Sequence, residues 1–417
     1  DTCMTAAYTT SDRWYGSLWE NLTPELKKQT AFVPTIVQTP LRALRATYQR
    51  LRSNARPFLI KEDYLRLSDL WFAWQHSRRI KGTALVPVHA LGHDISGLVA
   101  EEIALNRDPL TTIESLLTFR FVKRLSESGV QVRLAIDWFE GQVIDKAWNL
   151  GFKRYYPAAI RVGYRAFESF PFYLCSYPIP IERETGVIPD IMAVQGSGTI
   201  PTVREFLPDL DVRVIPSYKA SYVWENHPAR DPALFTVLVT LPISVHSSVR
   251  MLNRLIEVAT SAAGPIGTLQ IMVKPHPTNS GEMLRHQLSG TIPRMLAFTE
   301  EKSFSRLLGH SNLLITEASS TCLEALACGV PVIIMENEEG LTYDPVPAAI
   351  PRDMYRRATT TPEIAAALRH YATWSPEDAR EQQHQGQKIR QLYFEPITRE
   401  GTERFMNMDT ARSALDA

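Results

Sequence analysis

The sequence predicts an α/β protein of two Rossmann-like domains, and three observations carry that reading. At 417 residues the chain exceeds one ordinary core and fits two domains of about 150–200 residues each. Between Leu234 and Met335 short apolar runs alternate with helical patterns, the mark of a parallel sheet with helices on both faces. Those runs are apolar nearly throughout, as strands buried on both faces must be. The expected division is 1–225 for an N-terminal domain with a helical extension, 233–390 for a C-terminal domain, and 391–417 for a tail packing back on the N-terminal domain.

Taken in order, residues 40–52 (PLRALRATYQRLR) and 64–79 (YLRLSDLWFAWQHSRR) show a helical apolar period. Residues 85–90 (LVPVHA) then read as a strand, followed by a polar turn at 92–97 and a helix. Residues 132–138 (VRLAIDW) read as a buried strand and 141–150 as a helix, with further strands at 159–164, 190–195 and 212–216. Residues 224–232 (WENHPARDP), polar and with two prolines, are the expected linker. Beyond it come strands at 234–241, 269–274, 295–299, 312–316 and 330–335, with helices between them at 247–262, 281–288, 303–308 and 320–328. Residues 361–393 turn helical again, and no internal repeat is visible.

Composition narrows the function. Lys+Arg and Asp+Glu both number 45, so the basic excess of a general nucleic-acid binder is missing. The four cysteines, Cys3, Cys175, Cys322 and Cys328, follow no metal-ligand spacing and are expected as reduced thiols. No run of about 18 apolar residues suggests a membrane span, and residues 1–10 lack the basic-then-apolar pattern of a signal peptide. A cytoplasmic protein is the expectation.

Two motifs close strands of the C-terminal half. Lys274-Pro275-His276-Pro277 follows LQIMV, and Ser319-Ser320-Thr321-x-x-Glu324 follows NLLITEA. In an open parallel sheet, ligands bind beyond the carboxyl ends of the strands, so both motifs occupy the ligand-binding rim. Pro275 and Pro277 restrain the backbone around His276, so the imidazole has little freedom to lose on binding. Lys274 and His276 offer donors to phosphate oxygens. Ser319, Ser320 and Thr321 sit at a helix start, where hydroxyls and backbone N–H groups suit an anion. Glu324 either accepts from ribose hydroxyls or completes a capping box with Thr321. Taken singly, a Ser/Thr-x-x-Glu is most often a cap and a histidine between prolines a loop residue. Both on one rim point to a shared nucleotide.

KPHP followed by SSTxxEAxxxGxPVI resembles the C-terminal domain of GT-B glycosyltransferases that build bacterial surface polysaccharides. The nearest groups are sialyl- and polysialyltransferases and β-Kdo transferases. CDP-glycerol glycerophosphotransferases and UDP-GlcNAc 2-epimerases are more distant. The resemblance spans about 234–336. It implies two parallel sheets facing across a cleft, and a CMP-activated ulosonic acid as donor. On this resemblance Lys274, His276, Pro277, Ser319, Ser320 and Thr321 hold the donor phosphate and Glu324 lies near the ribose. It also implies a glycan acceptor, lipid-linked at the inner face of the membrane, with the protein touching the bilayer peripherally. No cofactor or metal is expected, because a nucleotide sugar already carries a good leaving group and needs mainly positioning and one base.

The N-terminal half should then supply the acceptor site and the acid/base group. Asp137 and Glu140, in IDWFEGQ, end a strand and begin a helix. Desolvation beside aromatics raises a carboxyl pKa toward that of a general base, although either residue is equally suited to capping the helix. His246, after the first C-domain strand, is a further catalytic candidate or an ordinary loop residue. His89, His93 and Asp94 suit an acceptor or donor loop better than a metal site, since their spacing is not that of zinc ligands. Gly196-Ser197-Gly198 lacks the third glycine of a dinucleotide fingerprint and reads as lining the cleft. Residues 71–81 (WFAWQHSRRIK) and 119–123 (FRFVK) are either membrane contacts or helices whose aromatic side is core, with core favoured for the first. The alternatives for the whole chain are polyol-phosphate transfer from CDP-glycerol, an epimerase-like enzyme, and a non-catalytic nucleotide-sugar-binding partner.

Overall fold

The computed structural model describes residues 12, 14–36, 39–82, 86–106, 110–168, 173–225, 233–260, 269–317, 319–337, 340 and 345–408. Most of the predicted linker, at 226–232, and Cys3 lie outside them. The other three cysteines form no disulfide among the described residues.

After two short helices at Leu18–Asn21 and Pro24–Gln29, the N-terminal part continues with helices α1 (Leu41–Arg52), α2 (Leu67–Trp74) and α3 (His76–Lys81). The helix expected over 64–79 is thus two, parted at Gln75. The strand expected at 85–90 is instead a hairpin, His89–Ala90 against His93–Asp94. Leu91 and Gly92 at its tip both have positive φ (53° and 81°), the backbone of a tight two-residue turn. Helices α4 (Ser96–Leu105) and α5 (Leu110–Glu127) follow. A four-stranded parallel sheet then runs β1 (Leu134–Trp138), β2 (Ile160–Arg165), β3 (Ile191–Val194) and β4 (Asp211–Val214) in spatial order, with α6 (Val143–Tyr155) after β1.

Both faces of that sheet are covered. Phe121, Val122 and Leu125 of α5 and Phe152 of α6 pack on Ala135. The other face carries Leu18, Leu22 and Leu26 from the start of the chain. Phe405 and Met406 of the last helix, α11 (Arg399–Met406), lie on that same face. Tyr218 donates to Thr402 (3.0 Å) and Arg133 to the Met406 carbonyl (2.9 Å), fixing α11 there.

The C-terminal sheet has six parallel strands: β5 (Phe235–Thr240), β6 (Leu269–Lys274), β7 (Leu296–Phe298), β8 (Leu313–Thr316), β9 (Val332–Met335) and β10 (Tyr355–Ala358). Their spatial order is β10-β9-β8-β5-β6-β7. Helices α7 (Val245–Thr260), α8 (Thr321–Ala327), α9 (Thr361–Ala372) and α10 (Pro376–Tyr393) complete the layers. Strand β10 (YRRA) was not anticipated. Its two arginines are exposed at the sheet edge, so no apolar run announces it. Helix α10 starts at a Ser375–Asp378 capping box with Pro at its first position.

Helix α10 also ties the two parts together. Gly386 lets it approach α8 so closely that a Cβ there would stand 2.6 Å from the Leu326 carbonyl oxygen. Its last residue, Tyr393, lies against Gly196 and Gly198. Those glycines, expected to line the cleft, instead permit this packing: a Cβ on Gly196 would meet the Tyr393 backbone at 2.3 Å. Immediately afterwards Glu395 donates its N–H to the Gln195 carbonyl (2.6 Å) and accepts from Ser217 N–H (2.9 Å).

The aromatic face of α2 is not core. Trp71 and Trp74 are 54% and 59% exposed, beside Leu67 and Leu70, and α3 adds Arg78, Arg79 and Lys81. In 119–123, by contrast, Phe121 and Val122 are fully buried. Among the described residues no helix is long and apolar enough to cross a membrane.

Candidate functional site

The chain winds from β5 to β6 and β7 on one side, then crosses back to β8 on the other side of β5. This is the doubly wound order whose reversal point opens a crevice at the carboxyl ends of the strands. Register places Thr240, the last residue of β5, opposite both Lys274 and Thr316. Neighbouring strands are about 4.8 Å apart, so the Lys274–Pro277 loop and the Ser319–Thr321 turn leave the sheet on either side of β5, roughly 10 Å from one another.

The first loop is held by its own bonds. His276 Nδ1 accepts from the Thr278 N–H (3.3 Å) and pairs with Thr278 Oγ1 (2.7 Å), which puts the proton of the neutral ring on Nε2. Asn279 donates to the Ile243 carbonyl (3.0 Å), tying the loop to the turn after β5. Lys274 is half-buried; desolvation lowers its pKa, and the Glu301 carboxylate partly restores it. Pro277 is exposed.

On the other side, Ser320 holds the N-cap position of α8 without a side-chain cap bond. Ser319 Oγ accepts from the Thr321 N–H (3.3 Å) and pairs with Thr321 Oγ1 (2.9 Å). The capping box weighed for Thr321 and Glu324 does not form, because Thr321 is the first helical residue. Glu324 instead accepts a hydrogen bond from the phenol of Tyr222. Burial raises the Glu324 pKa, and the positive charge of Lys219 and the Tyr222 bond pull it back. Lys219 in turn lies over the Trp138 ring, 4.9 Å from its centroid. A chain of contacts therefore runs from the rim of the N-terminal sheet to Glu324. Neither Lys219 nor Tyr222 sits in a motif, and no local pattern marks them in the sequence.

At the N-terminal rim, Trp138 Nε1 donates to Glu140 Oε1 (2.6 Å). Asp145 Oδ2 accepts from the N–H groups of Glu140 and Gln142, both at 2.9 Å, which fixes the turn between β1 and α6. Gly141 (φ +77°) is required there, since a Cβ would stand 1.8 Å from the Cys175 carbonyl oxygen. Asp137 does not share the rim. Its side chain is buried beneath it and accepts from Asn149 of α6 (3.0 Å). Burial and the neighbouring Asp145 charge push the Asp137 pKa well up. Asp145, raised mainly by burial, reaches about 7. Asp145, invisible as a site residue in the sequence, is what positions Glu140.

His246 is exposed on the first turn of α7, directly after β5. The hairpin residues His89, His93 and Asp94 are exposed, and Asp94 accepts from the Ser96 N–H (2.9 Å). The hairpin is held by local bonds, from Val88 N–H to Ser96 Oγ (2.9 Å) and from Ile95 N–H to the Val88 carbonyl (2.8 Å). Among the described residues no group of three His, Cys, Asp or Glu side chains is placed to hold a metal.

No protein-family model and no curated protein sequence matches the chain. Solved structures do. The chain is similar to S. aureus MnaA in its UDP co-structure, with 12% identity over 84% of this chain and 95% of that one and a TM-score of 0.51. It is also similar to the N-terminal domain of Candida albicans trehalose-6-phosphate phosphatase, with 8% identity over 96% of this chain and 94% of that one and a TM-score of 0.51. The fold is GT-B-like. In these terms the C-terminal Rossmann-like domain presents the His276 and Ser319 loops, and the N-terminal one presents Glu140 and Trp138.

Proposed function

We propose that this protein is a glycosyltransferase that moves a sugar from a nucleotide donor to a glycan. The donor is a CMP-activated ulosonic acid, Kdo by preference, and the acceptor a bacterial surface glycan such as O-antigen or capsule. One observation carries the reading: the KPHP loop and the Ser319–Thr321 turn flank the same strand at the reversal point of the C-terminal sheet, where a nucleotide phosphate is expected. The likeness to a protein solved with UDP supports nucleotide use in this fold; the preference for cytidine rests on the motifs.

In this reading the donor phosphates take hydrogen bonds from His276 Nε2, Lys274 and the hydroxyls of Ser319, Ser320 and Thr321, with Pro277 stiffening the loop. Glu324 receives the ribose hydroxyls once Tyr222 yields its place. His246 lies beside the same crevice as a further donor contact. Glu140 is the base that takes the acceptor hydroxyl proton, aimed by Trp138 and Asp145; Asp137 supports that turn from below. Closure of the domains excludes water. No metal is required, so EDTA leaves turnover unchanged. A lipid-linked acceptor brings the protein to the inner face of the membrane, which the exposed Trp71 and Trp74 and the basic α3 would meet.

Incubating the purified protein with CMP-Kdo, CMP-sialic acid, UDP-GlcNAc or CDP-glycerol, each with a glycan acceptor, tests the donor. CMP release from the first or second is expected. Turnover of only UDP-GlcNAc or CDP-glycerol would refute the CMP-ulosonic acid assignment.

A further inference from the structure

Strand β2 is buried along its whole length yet carries two arginines, Arg161 and Arg165. Arg161 is fully served: Asp190 takes its Nη2 (2.7 Å) and Nε (3.1 Å), and the Gly186 carbonyl takes Nη1 (2.9 Å). Arg165, at the carboxyl end of the same strand, is completely buried and treated differently. Its Nη1 donates to the Ser176 carbonyl, while Nε and Nη2 have no partner among the described residues.

Nε and Nη2 form one edge of the guanidinium, the fork that fits the paired oxygens of a carboxylate or phosphate. The guanidinium carbon lies over the Phe167 ring, 4.9 Å from its centroid. Glu168 exerts the largest charge effect on Arg165, yet it fills neither Nε nor Nη2. Its carboxyl accepts from Thr199 Oγ1 (2.8 Å), and burial raises its pKa to about 7. Gln195, which follows the β3 residue paired with Arg165, has a buried Oε1 that is also without a partner among the described residues. Buried donors left unfilled cost free energy, and at the other end of this strand an aspartate fills the Arg161 fork.

We infer that Arg165 anchors an anionic group, a carboxylate or a phosphate, on the sugar acceptor. The inference deepens the function proposed above and rests on it for the N-terminal sheet being the acceptor side. Arg165 closes β2 and Glu140 follows the neighbouring β1, so both lie at the carboxyl end of that sheet; the Glu140 charge acts on Arg165, though less than that of Glu168. The acceptor's anion is held by the fork while its hydroxyl faces Glu140. The turn Leu174–Ser176, with Leu174 and Cys175 exposed, lies over the guanidinium and lifts to admit the ligand.

Ligand-observed NMR of the full chain with glucuronate, glucose 6-phosphate and glucose tests this. The wild type is expected to bind at least one of the two acids and not glucose, and the acid that binds identifies the anion as carboxylate or phosphate. Arg165→Lys, which keeps the charge and loses the fork, is expected to weaken that binding by at least about tenfold. Arg165→Met should abolish it without lowering the thermal midpoint. CMP affinity, measured separately, should be unchanged in both variants, so failure of the nucleotide site is read independently. Glucose binding as well as the acids in the wild type, or Arg165→Met retaining acid binding, would overturn the inference. So would a rise in the KM for CMP-Kdo with the acceptor KM unchanged, which would assign the anion to the donor.

Discussion

The phenol of Tyr222, on the turn that leaves the N-terminal sheet, donates a hydrogen bond to the buried carboxylate of Glu324 on α8. The turn is anchored by Ala220 and Val223, which belong to the C-terminal core. Tyr222 thus occupies the carboxylate that the proposed ribose contact needs. Replacing it with Phe is expected to cost about 1–2 kcal/mol of stability, because a buried acceptor loses its partner, while CMP affinity does not fall. Glu324→Gln is expected to weaken CMP binding about tenfold, read by calorimetry. Equal affinity in the Gln variant would remove Glu324 from the site.

Glu140 and Asp137 are separated by a parallel experiment. Glu140→Gln should lower kcat by a factor of about 100 or more with CMP affinity intact, as loss of a general base does. Asp137→Asn replaces a carboxyl that burial pushes well above the usual carboxylate range and that lies beneath the rim, and should keep most of the activity. The opposite ranking would make Asp137 the reacting group.

Glu168 makes a pH prediction. Its folded pKa, about 7 against an ordinary 4.5, means that the unfolded chain loses this proton first as pH rises. The native state is therefore favoured below about pH 4.5 and loses stability from there to about pH 7. Relative to the wild type, Glu168→Gln should gain about 3 kcal/mol across that window, as followed by urea unfolding at several pH values. A difference that does not change with pH would mean that the carboxyl is not desolvated.

Trp71 and Trp74 test membrane contact. Both are more than half exposed, so replacing them with Ser should change stability by no more than about 0.5 kcal/mol. Sedimentation with vesicles containing anionic lipid should fall sharply in the double variant. Retained sedimentation would place the contact elsewhere.

Much of the C-terminal domain was legible because its strands are apolar on both faces and are punctuated by the residues that end them. β6 spans 269–274 as read from LQIMVK. The N-terminal extension was less so: LVPVHA has a strand's composition, but among its described residues only His89 and Ala90 pair, with Asp94 and His93, and backbone pairing rather than composition decides. The side of a strand a residue faces was also hidden, which is why Asp137 and Glu140, three positions apart, were read as equivalents although the structure separates them. Lys219 and Tyr222 reach Glu324 across more than a hundred residues, a distance no local pattern encodes.

A crystal of the protein soaked with CMP tests the central claim most directly. The phosphate is expected between β6 and β8, within hydrogen-bonding distance of both the His276 imidazole and a hydroxyl of Ser319 or Ser320. A nucleotide bound elsewhere, or touching only one of the two loops, would contradict the account.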